Sequence, residues 1–198
     1  AELGPIELIL LDAQSTTQRQ RLGVVLQGLA PILREKKAAV LALLLGAAEK
    51  ADHRLPAIAD VLVAMQVPEV TDHLEPLLGH QSARVRVSVI RLFGHSGRSE
   101  LAAKLSPALE SPDRDVRLAV IQAFRDLEFK SGIGALEKLV NDEDAQVAEA
   151  AVAALADFKA RDAVPTLLLA LQKSTDAARS RRLIDALGLI GAATKVSV

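Results

Sequence analysis

Cysteine, tyrosine and tryptophan are absent from the 198 residues, and four phenylalanines (Phe93, Phe124, Phe129, Phe158) supply every aromatic ring. Without cysteine the chain can form no disulfide, no thiolate metal site and no cysteine nucleophile, and it carries no sign of redox compartment. Without tyrosine and tryptophan it lacks residues that strand-rich folds favour in alternation and the usual stacking platforms for nucleobases. An excess of one charge is missing too: 24 Lys+Arg face 25 Asp+Glu, and division after Arg98 leaves 11 against 10 and 13 against 15. Neither half is a basic arm or an acidic tail, so bulk attraction to nucleic acid or to a membrane surface is not expected. The longest apolar run, Ala38 to Ala48, has eleven residues, against the roughly 17–25 that a membrane helix needs. No membrane insertion is expected, and no secretory pattern opens the chain; a cytoplasmic location is the expectation.

Half of the residues are hydrophobic, enough to bury a sizeable core in one domain or a short repeat array. Alanine, leucine and valine dominate, and apolar residues recur three and four apart almost everywhere, the spacing of helices rather than strands. The chain reads as all-α. Self-similarity then sets the organisation, with a period of about 31 residues. Val85, Ser88, Val89, Leu92 and Phe93 align with Val116, Ala119, Val120, Ala123 and Phe124, and these with Val147, Ala150, Ala151, Ala154 and Leu155, at one constant step. Pro76 and Pro107 keep the same spacing, each shortly before a turn, at His80 and Ser111. A step longer by one reaches Arg179, Arg182, Leu183, Ala186 and Leu187, and a step back that is shorter by one reaches Leu55, Ile58, Ala59, Leu62 and Val63.

Each unit is expected to be two helices joined by short polar turns. Gln81-Ser82-Ala83, Ser111-Pro112-Asp113 and Asn141-Asp142-Glu143-Asp144 supply N-cap and turn residues. Gly94, Gly97, Gly188 and Gly191 are expected to stop helices. Six units follow, near 1–31, 32–66, 67–98, 99–129, 130–161 and 162–198, in one array over 1–198. The start at Ala1, and the likeness of Ala192 to Val198 to the opening of another first helix, suggest a fragment of a longer chain.

Ser111-Pro112-Asp113-Arg114-Asp115-Val116-Arg117, the run Ala186 to Gly191, and the mid-helix prolines Pro76 and Pro107 carry a resemblance. The array resembles HEAT repeats, in particular the phycobilisome-lyase type, well over about Pro68 to Gly191 and by pattern before that. The resemblance implies an α-solenoid, an alpha-alpha superhelix of about six helix pairs, armadillo-like in architecture. It also implies inward-packed valines and a ladder of turn aspartates and helix arginines. Arg86 and Arg117 match the arginine and Asp142 the aspartate, while His80 and Ser111 replace the acid, and Ala148 and Ser180 the arginine, in other units. A ladder must therefore be broken or run between neighbours, such as Asp142 to Arg117.

Chemistry is sparse. His53, His73, His80 and His95 are the histidines, and none stands four residues from another; His73 and His80 are seven apart, about 10 Å of helix rise, too far to share an ion. No metal is expected. Phosphate-loop, dinucleotide and nucleophile-elbow motifs are missing, and Ser131-Gly132-Ile133-Gly134 reads as a turn between helices. Asp142, Glu143 and Asp144 lack the glycine and distal glutamate of a calcium loop and read as capping acids. Arg179, Arg181 and Arg182 form a basic cluster on one helix, with Arg179 and Arg182 on positions that are core elsewhere. Either the helix is shifted or these arginines snorkel at an edge; a nucleic-acid site would want aromatic platforms, and none is expected.

In HEAT-like arrays the second helix of each unit lines the concave face, with exposed positions two and six residues after the inward valine. Those are Ala57 and Val61, Val87 and Arg91, Leu118 and Gln122, Glu149 and Ala153, then Arg181 and Asp185. Val61, Val87 and Leu118 would form an apolar patch bordered by Arg91, Gln122 and Arg125, the make-up of a small interaction site. The expected function is a non-enzymatic scaffold or docking module, with no catalytic residue and no cofactor, for another protein or another domain of the same chain. The alternative is a bilin lyase or isomerase subunit, as the repeat type implies. Oligomeric state is left open.

Overall fold

The structure, a computed structural model, describes residues 74–192. The first two expected units, Val61, His53 and His73, and residues 193–198 lie outside the described residues. The chain divides into two compact units, Ala1–Ser96 and Gly97–Val198. Every element among the described residues is helical, so the chain is all-α.

In the first unit a 3₁₀ turn, Glu75–Gly79, precedes α1, Ala83–His95, and the two pack together. Val85, Val89, Ile90, Leu92 and Phe93 turn inward, and Leu74 is buried ahead of the 3₁₀ turn. Ser88 is buried with them because its hydroxyl donates to the Arg84 carbonyl at 3.1 Å, one helical turn back. The large majority of buried polar groups in folded proteins have such a partner.

The second unit begins with a 3₁₀ turn, Ser99–Leu101, that leads into α2, Ala102–Leu105. Here the expectation of a full first helix needs correction. α2 has four residues and tightens into a 3₁₀ stretch, Ser106–Glu110, with Pro107 in its first turn. Pro76 sits in the same place in Glu75–Gly79. Proline has no N–H to continue an α-helical ladder and its ring crowds the preceding turn, so the prolines are not mid-helix residues but the point where α geometry gives way. After it come α3 (Arg114–Asp126), α4 (Ile133–Leu139), α5 (Ala145–Asp157), α6 (Val164–Lys173) and α7 (Ala177–Ala192). α5 packs against α3, α4 and α7, and α7 against α6.

In α1, α3 and α5 the repeat pattern is the burial pattern. Val116, Ala119, Val120, Ala123 and Phe124 of α3 are buried, as are Val147, Ala151, Ala154 and Leu155 of α5; Ala150 is half-buried. In α7 Leu183 and Ala186 hold the same register and are buried.

Helix ends depart from expectation. Gly94 lies in the last turn of α1 and Gly191 one residue before the last described residue, while Gly188 lies inside α7 and does not end a helix. A glycine costs a helix about 1 kcal/mol relative to alanine, which the buried face of Leu183, Ala186 and Ile190 offsets. The chain does turn left-handed at Gly97 (φ 70°), and again one and two repeats later, at Glu128 (φ 50°) and Lys159 (φ 52°). After α3, Phe129 N donates to Phe124 O at 2.8 Å and Glu128 N to Arg125 O at 3.1 Å; after α5, Ala160 and Lys159 repeat both bonds. This is the Schellman arrangement, in which the left-handed residue is usually glycine. The apolar contact that accompanies it is Phe124 against Phe129, ring centroids 4.9 Å apart. Because a side chain is disfavoured at such a φ by roughly 1–2 kcal/mol, Glu128→Gly and Lys159→Gly should each stabilise the chain by about 0.5–1 kcal/mol in urea denaturation followed by circular dichroism. A loss of stability in both would show that the side chains matter more than the backbone.

Candidate functional site

The surface that second helices present is organised from their turns. In three successive turns the first side chain accepts a hydrogen bond from the amide two residues on: His80 Nδ1 from Ser82 (3.1 Å), Ser111 Oγ from Asp113 (3.2 Å), Asp142 Oδ1 from Asp144 (2.9 Å). An arginine then reaches back over the turn. Arg86 Nη1 donates to the carbonyls of His80 and Gln81 at 2.7 and 3.0 Å, and Arg117 Nη1 to those of Ser111 and Pro112 at 2.8 and 3.3 Å. His80 and Ser111, which lack the acid of the ladder, therefore keep its local task.

The second task, joining one unit to the next, needs the acid. Arg117 Nη2 meets Asp142 Oδ1 at 2.8 Å, with the two side chains 7% and 8% exposed. This is the neighbour-to-neighbour rung expected from the sequence. Two more arginines of α3 reach across to the following unit, Arg114 to Asp144 at 3.7 Å and Arg125 to Asp157 at 2.6 Å.

Asp113 and Asp144 cap α3 and α5, each accepting from the amides two and three residues on. The Val147 N–H, followed by that of Gln146 and the charge of Arg114, holds the Asp144 carboxyl below its usual range. A carboxyl depressed in the folded state contributes stability that is whole above the unfolded-state pKa and disappears as pH falls through the lower folded value. Asp144→Asn keeps a capping oxygen and loses the titration. Below about pH 4 its melting temperature should fall less steeply than that of the parent; parallel pH profiles would contradict the assignment.

The expected patch residues fall as follows. Val87 and Arg91 are four apart on α1, half-buried and exposed respectively. On α3, Leu118 is half-buried and Gln122 and Arg125 are exposed. Gln122 and Arg125 belong to a polar chain unseen in the sequence: Gln122 Nε2 donates to Asp126 at 2.7 Å, Arg125 donates to Gln122 Oε1 at 3.3 Å, and Arg125 pairs with Asp157. Their spacing of three and four on α3 was the available signal; Asp157 stands at the end of α5, a full repeat further along the chain, and gave none.

The basic cluster resolves in favour of edge arginines on an unshifted helix. Arg182 forms an ion pair with Glu149, and Arg179 Nη2 donates to the Val140 carbonyl at 3.0 Å and to Asn141 Oδ1 at 2.9 Å. His95 Nδ1 lies 2.7 Å from the Arg91 carbonyl. No helix among the described residues is long and apolar enough to cross a membrane.

No family model and no curated protein matches the chain. Solved structures do. An engineered protein of the Northeast Structural Genomics Consortium superposes with a TM-score of 0.57 at 18% identity, over 94% of this chain and 98% of that one. A designed armadillo repeat protein in complex with peptide (KR)4 gives 0.54 at 17% identity, over 96% and 100%. The complex of CpcE and CpcF of phycocyanin lyase from Nostoc sp. is similar only at 0.34 and 16% identity, over 96% and 96%, too loose a likeness to argue from. At such identities the likeness is one of fold: the chain has the helical-repeat fold that designed armadillo repeat proteins share.

Proposed function

We propose that this chain is a non-enzymatic docking module, one HEAT-like array over 1–198 that holds another protein, or another domain of its own chain, on the concave face of its second helices. One observation carries the reading. In three successive second helices, α1, α3 and α5, the inward position is buried (Val85, Val116, Val147), and the positions two and six beyond it reach the surface: Val87 and Arg91, Leu118 and Gln122, Glu149 and Ala153; in α7 the inward position is the half-buried Arg179. A surface stripe repeated at a fixed step is what helical-repeat proteins use to hold extended partners. That an armadillo protein of similar fold is complexed with a peptide supports the choice of a polypeptide partner. Val61, Val87, Arg91, Leu118, Gln122 and Arg125 are the proposed contacts. Lacking tyrosine and tryptophan, the usual anchors besides arginine, the surface is suited to a partner that brings its own aromatics.

The test is affinity capture with the chain as bait beside Val87→Glu/Leu118→Glu. Both residues being half-buried, the double variant should stay folded, with a loss of no more than about 1–2 kcal/mol, and should release a protein that the parent captures. Retention of every captured protein by the folded variant would refute the proposed face.

A further inference from the structure

The three arginines by which α3 reaches the next unit are all alanines one repeat later. Arg114, Arg117 and Arg125 correspond in the repeat to Ala145, Ala148 and Ala156 of α5. Where the first two would lie there is a cleft between α5 and the start of α7, about 410 Å³ in volume, walled by Ala145, Ala148, Val152 and Leu183. That volume is in the range of small-ligand pockets.

Part of what the α3 guanidinium groups bind has its equivalent around this cleft, although the counterpart of Asp142 is Ser174. Arg117 takes the carbonyls of Ser111 and Pro112. The corresponding residues, Asp142 and Glu143, line the cleft, and their carbonyls accept no hydrogen bond from the described residues. Arg114 takes the carboxylate of Asp144; the corresponding Asp176 lines the cleft, with Oδ1 accepting from the Arg179 amide at 2.6 Å. These two carbonyls and one carboxylate remain, and no guanidinium of the described residues donates to them.

The charges already present leave room for a cation. Asp142 is paired with Arg117, which also lies 4.0 Å from Glu143, and Arg182, which lines the cleft with Arg179, is paired with Glu149. Arg179 is drawn back to Val140 and Asn141. Glu143 and Asp176 then outweigh Arg179 by one negative charge.

We propose that this cleft binds an arginine side chain of a partner polypeptide, the guanidinium on the Asp142 and Glu143 carbonyls and the Asp176 carboxylate, the methylene stem against Ala145 and Ala148. A planar donor fork satisfies carbonyl and carboxylate acceptors together, which an ammonium point charge does not. The cleft meets the proposed docking stripe at Glu149, and the proposal does not rest on that stripe.

The probes are capped tripeptides, glycine-arginine-glycine and its citrulline counterpart, which keeps the shape and loses the charge, titrated into the ¹⁵N-labelled chain and followed by NMR. The arginine peptide should shift the amide signals of Glu143, Ala148 and Arg182 saturably, and citrulline should bind about tenfold or more weakly, the discrimination expected of a charged hydrogen bond. Ala148→Arg fills the cleft from within. It should abolish the shifts and, with Ser174→Asp supplying the missing acid, raise the melting temperature. Asp176→Glu keeps the charge and should retain binding. Equal binding of citrulline, no saturable shift with arginine, shifts that persist in a folded Ala148→Arg variant, or inorganic phosphate moving the same signals in place of arginine would each overturn the proposal. None of these outcomes bears on the stripe of Val87 and Leu118, whose test is separate.

Discussion

Phe124→Ala should cost about 3–5 kcal/mol, the range for a buried aromatic truncated in a core that cannot collapse. Phe124 is fully buried, and its position is held from two sides. Phe129 meets it edge-on, with an interplanar angle of 65°. Gly132 backs the ring so closely that a Cβ there would lie 2.5 Å from its Cε2. With rigid backbone on one side and a second ring on the other, the hole left by the substitution stays largely open. The same ring also closes the Schellman end of α3 through Phe129, so the loss should extend to the turn between α3 and α4. Urea denaturation followed by far-ultraviolet circular dichroism is the measurement, since the chain has no tryptophan to report by fluorescence. A change below about 1 kcal/mol would place the ring at the surface and contradict the register.

Arg117→Met should destabilise by a comparable amount, about 3–5 kcal/mol, because it strands a partner in a buried pair. Asp142 would keep its bond from the Asp144 amide and lose the guanidinium that meets its carboxylate oxygen at 2.8 Å. Desolvation is the dominant cost: the charge remains out of water and its compensation is gone. Asp142→Asn, which still accepts from both Arg117 and Asp144, should cost less, and the double variant should cost less than the two singles together by at least about 1 kcal/mol, the coupling expected of residues in contact. Additive losses would mean that Arg117 acts only through the carbonyls of Ser111 and Pro112. Replacing arginine by methionine preserves much of the apolar stem, so the loss reads the charge and its hydrogen bonds rather than packing.

What was legible in the sequence follows from what repeats. Val85, Val116 and Val147 could be assigned inward because a helix buries residues three and four apart and a stacked array buries the same positions in each layer. The all-α class and the cores of α1, α3 and α5 are local or nearest-neighbour facts, and spacing alone carries them; the Asp142–Arg117 rung was an expectation from the resemblance to HEAT repeats, not from spacing. The candidate surface was legible only as positions on a helix. That Arg125 is tied to Asp157 depends on a side chain of α5, in the layer after Arg125, for which a single sequence has no marker.

Tertiary structure decided the rest where several residues compete for one place. The prolines mark a change of helix type rather than a kink because the ring removes an N–H and crowds the turn before it. Glu128 and Lys159 take the left-handed conformation, against their own preference, because the carbonyls at the ends of α3 and α5 need the amides of the residues that follow. Gly188 and Gly191 remain helical because burial of Leu183, Ala186 and Ile190 outweighs their propensity. The sequence by itself determined an all-helical repeat and its buried stripe, since burial at a fixed period is set by backbone geometry. Only the tertiary structure decided which arginines pair, and that the alanines opposite α7 leave a cleft, since the fate of a long polar side chain is set by acceptors in the neighbouring layer.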